Sequence, residues 1–181
     1  MFNREFITRF LLRRPAALES PAARAAVLAL AAIGAAFLVW SAVIHLELYG
    51  DGYSDISVIG PLFLAQGIAC IILGVAIVAL RWLALLMAGA VTGVATAVGL
   101  LLSVHVGLFG YTESLSVPYA TLSLAVEFTA AFVLLAATGL LALGRTRARG
   151  ERAEPAVPEP AVPDAEWLGT LGRSGPRPLD R

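Results

Sequence analysis

The sequence predicts an all-α protein, a bundle of four membrane-spanning helices followed by a disordered tail. Three observations carry this. Of the 181 residues, 59% are hydrophobic and 14% charged, whereas a soluble domain is nearer half apolar and a quarter charged. The apolar residues gather into four runs, each long enough to span roughly 30 Å of hydrocarbon. The charged residues are segregated by region, so the formal net charge of zero carries little information.

Residues 1–19 form a basic segment with Phe2, Phe6 and Phe10 at helical spacing and Arg4, Arg9, Arg13 and Arg14 interspersed. That pattern suits a helix lying in the headgroup region. The apolar run that follows is too long for a signal-peptide core and no clear cleavage site closes it, so it reads as a retained anchor. Ser20-Pro21 is a helix start, because Ser can cap and Pro suits the first helical position. The transmembrane domain covers 20–144, with spans at about 25–48, 58–80, 83–109 and 117–143. Pro61 falls in the first turn of the second span, where a missing N–H is tolerated. Arg81 and Trp82 make a connection so short that spans two and three must be antiparallel neighbours. Ser116 is the expected cap of span four, just before Pro118.

The arginines set the orientation. Arg4, Arg9, Arg13, Arg14 and Arg24 precede or open span one, Arg81 separates spans two and three, and Arg145, Arg147, Arg149 and Arg152 follow span four. The connections at 49–57 and 110–116 hold only acidic charges, Asp51, Asp55 and Glu113. The expectation is a multi-pass protein of the cell membrane with both termini cytoplasmic. Trp82, Tyr49, Tyr53, Tyr111 and Tyr119 fall near the span boundaries and read as interfacial anchors.

Residues 145–181 are rich in Pro, Glu, Ala and Arg and read as a disordered cytoplasmic tail. Its repeated Pro-Ala-Val-Pro favours extended polyproline II. Trp167, Leu168 and Leu171 are its one apolar cluster and the expected docking motif for a cytoplasmic protein partner.

A weak internal repeat links the first hairpin to the second. His45-x-x-Leu48-Tyr49-Gly50 aligns with His105-x-x-Leu108-Phe109-Gly110 at a constant offset. Beyond it, Gln66 falls beside Glu127, one position out of register. A two-helix unit repeated once would give parallel helical-hairpin repeats about an axis along the membrane normal. Coincidence among apolar helices is the competing reading.

The polar residues inside the spans supply the candidate site. A rise of about 1.5 Å per residue puts His45 and His105 roughly one turn below the outer boundary, Gln66 roughly 12 Å in and Glu127 roughly 15 Å in. A carboxylate near the midplane costs a few kcal/mol, so it should face the bundle, be protonated or have a partner. Three readings stay open. Glu127, His105, Gln66 and His45 form a proton-handling or ligand-gripping site. The two histidines are axial ligands of a b-type haem. Or these residues are interhelical hydrogen bonds that fix packing. In span three, Gly89-x-x-x-Gly93 permits close helix approach, either inside the bundle or in a homo-oligomer.

Absences narrow the function classes. The lone Cys70 excludes an intrachain disulfide, a CxxC redox pair and a cysteine zinc cluster. No HExxH, GxSxG or phosphate-binding glycine fingerprint is present. No metal site and no nucleic-acid partner are expected, the lipid bilayer being the first partner.

His45, Leu48, Tyr49, Gly52, Tyr53, Ile56 and the run Ile59-Gly60-Pro61-Leu62-Phe63-Leu64 resemble a recurring pattern in small four-span membrane proteins of actinobacteria. Those proteins often have Trp at the position of Tyr49 and Arg at that of Ser54. The resemblance covers the first hairpin and implies the four-span architecture, with no reaction attached to it. The functional expectation is therefore a non-enzymatic accessory or scaffold membrane protein. The alternative is proton-linked transport, or a small-ligand or lipid-binding site beneath the outer loops.

Overall fold

A computed structural model describes residues 4–12, 18, 20–117 and 119–153. The chain folds as a short helix α1 (Arg4–Leu11) and four long ones: α2 (Pro21–Gly50), α3 (Ile59–Leu80), α4 (Leu83–His105) and α5 (Ala120–Ala153). Each long helix contains a stretch long and apolar enough to cross a membrane. This is a multi-pass integral membrane protein. Its outward faces carry bulky apolar side chains such as Ile72, Val75, Val91 and Phe132, each more than half exposed, a surface suited to lipid and not to water.

The helix ends follow from local chemistry. Ser20 caps α2 by accepting from the Ala23 N–H, with Pro21 at the first position. Arg81 adopts a left-handed conformation (φ 55°) that stops α3, and Trp82 is extended, so α4 turns back at once. Span three ends at His105 and not near Phe109, because Gly107, Phe109 and Gly110 all take positive φ and coil the chain into a turn. Span four starts at Ala120. Ser116 does not cap it; its hydroxyl pairs with that of Ser114 at 2.7 Å.

The fourth helix runs on through Ala153, into the stretch read from 145 as tail. Its Ala, Arg and Glu residues are good helix formers, and extending an existing helix avoids the nucleation cost. Trp167, Leu168 and Leu171 lie outside the described residues.

Around the bundle, α2 packs broadly on α3 and α5, and α5 on α4. The helices α3 and α4, though joined by two residues, touch each other more lightly. Close approach depends on glycine. A Cβ on Gly93 would lie 2.8 Å from the Glu127 carbonyl oxygen, and one on Gly74 would lie 3.2 Å from that of Ala35. Gly89 and Gly93 are both buried within the chain, so this ridge packs inside the bundle.

The core is unevenly filled. Leu38, Ile77, Leu83, Leu86, Leu134 and Leu141 are almost wholly buried and concentrate toward the Arg81 end. Toward the other end, which bears the α2–α3 and α4–α5 connections, Ile44 and Val126 are buried beside small or polar residues, Ala42, Ser41, Ser103 and Ser123. The small side chains on α2, α4 and α5 leave space, and that space is the candidate site.

Candidate functional site

A cavity of about 420 Å³ occupies the connection-bearing half of the bundle, lined by all four long helices and both connections. This is within the range of small-molecule sites. Its walls are mainly aliphatic and aromatic, with a few polar groups at two levels.

The deeper level is built on two helical i, i+4 pairs. On α2, Ser41 and His45 share the inward face, and on α5 so do Ser123 and Glu127. The Ser41 carbonyl oxygen lies 2.8 Å from His45 Nδ1. A carbonyl can only accept, so Nδ1 carries the hydrogen. In a neutral ring Nε2 then presents its lone pair. That Nε2 lies 3.8 Å from Glu127 Oε1, which also accepts from the Ser123 hydroxyl at 2.9 Å. The other carboxyl oxygen, Oε2, is buried and has no hydrogen-bond partner. Glu127 itself is only 1% exposed. Buried polar atoms without a partner are rare in native proteins, and each calls for a reason.

Gln66 reaches the same cavity from α3. Its amide donates to Thr96 Oγ1 of α4 at 2.6 Å and to Cys70 Sγ at 3.3 Å, while the Thr96 hydroxyl donates to the Thr92 carbonyl at 2.8 Å.

The second level closes the cavity at the connections. Tyr53 donates to Glu113 Oε2 at 2.7 Å, and Tyr111 donates to the same oxygen at 3.3 Å. The Ser114 N–H donates to Oε1 at 2.9 Å. Glu113 thus latches the first connection to the second. Burial, and then the bond to Glu113, push the Tyr53 phenol well above its usual range. The latch keeps this proton up to and beyond the alkaline pH at which an exposed tyrosine would lose it. An aromatic column runs inward from the latch. Tyr53 stacks on Phe63 at 4.9 Å between centroids, and Phe63 meets the His45 ring at 5.0 Å. The turn below Tyr53 packs tightly because Gly60 has no side chain; a Cβ there would come within 2.7 Å of the Tyr53 carbonyl oxygen.

Of the four expected site residues, Glu127, Gln66 and His45 line this one cavity and His105 does not. His105 repeats the local bond of His45, with Nδ1 2.9 Å from the Leu101 carbonyl oxygen, but it is exposed. The reason is rotational. The buried stripe of α4 runs through Gly89, Gly93 and Ala97, and His105 stands roughly a third of a turn away from Gly93 at about 100° per residue. The two imidazoles therefore do not both line this cavity. Among the described residues no cluster of three or more His, Cys, Asp or Glu has metal-binding geometry.

The sequence does not by itself place Ser41, Ser123, Thr96 or Cys70 in the site, and it reads Tyr53 and Tyr111 as anchors at the lipid interface. The i, i+4 spacing of Ser41 with His45 and of Ser123 with Glu127 was a usable signal for two of them. No family model, curated protein or solved structure matches the chain.

Proposed function

We propose that the protein binds a small amphiphile inside its bundle, gripping a hydrogen-bond-donating head group, an amine above all, at Glu127. The single observation that carries this reading is Glu127, a residue lining a largely apolar cavity whose buried Oε2 has no hydrogen-bond partner. A buried carboxyl oxygen left unsatisfied costs about 1–3 kcal/mol, and a ligand N–H would remove that cost. The aliphatic and aromatic walls would hold the apolar part, and the Glu113 latch would keep water from the ion pair. The accessory or scaffold reading rested on the docking motif at Trp167, Leu168 and Leu171, which the described residues do not reach. The cavity supports the ligand-binding alternative.

Dansylcadaverine, a primary amine carrying an apolar fluorophore, is a suitable probe. A ligand that binds only the folded state stabilises it by about 2.7 kcal/mol at a hundredfold excess over its dissociation constant. The melting temperature of the full chain in detergent should rise with probe concentration. It should not rise for Glu127→Gln, nor with the N-acetylated probe. An equal rise in Glu127→Gln, or none in the wild-type chain, refutes the reading.

The arginine distribution supports cytoplasmic termini in the cell membrane, with the cavity in the outer half. In intact cells a membrane-impermeant maleimide should label Ser54→Cys. Labelling that requires lysis would reverse the orientation.

A further inference from the structure

The cavity has an exit other than its latched end. Among the lining residues that are exposed, Leu62, Val91 and Ala95 belong to α3 and α4, and Tyr119 to the start of α5. Leu62 is 48% and Val91 66% exposed, and both also form cavity wall, so the wall on this side reaches close to the surface of the bundle. The helices on either side are α3 and α4, the sequence neighbours that pack lightly. Among the described residues, the one hydrogen bond across that gap is Gln66 to Thr96.

The opposite end is tied by polar contacts. Glu113 is 9% exposed and takes three hydrogen bonds, and Tyr53 meets Tyr111 edge-on at 5.9 Å. Opening toward water would break several polar contacts at once. Opening toward lipid moves mainly apolar side chains in an apolar medium, with the Gln66–Thr96 bond the one polar contact across the gap among the described residues.

We infer that the ligand enters sideways from the bilayer, through the gap between α3 and α4 framed by Leu62, Val91 and Ala95. It is therefore a membrane-dissolved amphiphile with an amine head and a compact apolar body, not a water-borne metabolite. This rests on the ligand-binding reading above and adds the route and the phase from which the ligand comes. An amine left in hydrocarbon has no acceptor, and Glu127 supplies one at the depth such a molecule would reach by sliding along the groove. The mainly apolar wall between Val91 and Glu127 fits the body of that molecule and would attract little from water.

The test uses the full chain in phosphatidylcholine vesicles preloaded with dansylcadaverine. Binding is followed as the part of the tryptophan-to-dansyl energy transfer that Glu127→Gln abolishes. In Val91→Trp and Ala95→Trp, where a bulky ring stands in the gap on a lipid-facing position, uptake and release should both slow several-fold. Leu62→Trp, on the facing helix, should act likewise and keeps the question decidable if one of the α4 variants fails to fold or fills the cavity. Glu113→Gln, which weakens the latch, separates the routes. If it speeds uptake several-fold while the three tryptophan variants leave the rate unchanged, entry is from water and the lateral route is wrong. If the wild-type chain shows no Glu127-dependent transfer at all, the ligand-binding reading fails first. The two failures are distinct.

Discussion

Gly93→Val is expected to destabilise the folded bundle by about 1–3 kcal/mol, the usual cost of forcing extra volume into a packed interior. The Cβ alone would sit 2.8 Å from the Glu127 carbonyl oxygen and 3.3 Å from both Ala131 N and Ala131 Cβ. Two of those three atoms are backbone of α5, which cannot rotate aside as a long side chain can. The helices must separate, and Glu127 moves with its carbonyl. Loss of helical circular dichroism on heating in detergent should therefore begin at a lower temperature. Gly139→Ala is the control, because a Cβ there meets nothing within 4 Å. It should fall within about 0.5 kcal/mol of the wild type or gain from better helix propensity. A Gly93→Val chain as stable as the parent would mean that α4 and α5 do not approach at this point.

Removing His45 should have an effect of similar size by a different cause. His45→Leu removes the imidazole nearest Glu127 Oε1, leaves the Ser123 hydroxyl bonded to that oxygen and adds nothing for Oε2. A buried carboxyl stripped of its nearest imidazole is expected to lower stability by about 1–3 kcal/mol. Glu127→Leu removes the unpaired oxygen along with its neighbour, so it should cost less than His45→Leu. The double variant should be more stable than the sum of the two singles predicts, by about 0.5–3 kcal/mol if the groups are coupled. Unfolding in denaturant of the four chains measures this directly. Simple additivity would show that the 3.8 Å pair contributes nothing to stability.

The four spans, the Ser20-Pro21 start and the two-residue hairpin at Arg81-Trp82 were legible because each depends on local properties. Hydropathy over about twenty residues, a capping hydroxyl and a connection too short for anything but reversal do not need a partner helix to act. The expected depths of His45, Gln66 and Glu127 are rises per residue counted from a span boundary, and for Glu127 that boundary moves from 117 to Ala120. The end of span three was misplaced. Residues 106–109 are as apolar as the span they follow, and the positive φ values that break the helix leave no mark on hydropathy.

The candidate site divides along the same line. His45 and His105 have matching sequence surroundings, and in the folded chain they even make the same local bond to the carbonyl four residues back. One nevertheless faces Glu127 and the other faces outward. What separates them is the rotation of each helix against its neighbours, set by small residues such as Gly67, Gly74, Gly89 and Gly93.

By itself the sequence determined that this is a four-span membrane protein with costly polar groups inside its spans. Tertiary structure alone decided that the Arg81 end is solid and the other end hollow. It also decided that Tyr53 and Tyr111 close on Glu113 and that α3 stands loosely against α4. The physical reason is that a helix's length and depth are sums over its own residues. A cavity is the space left between four helices, and no single helix encodes it.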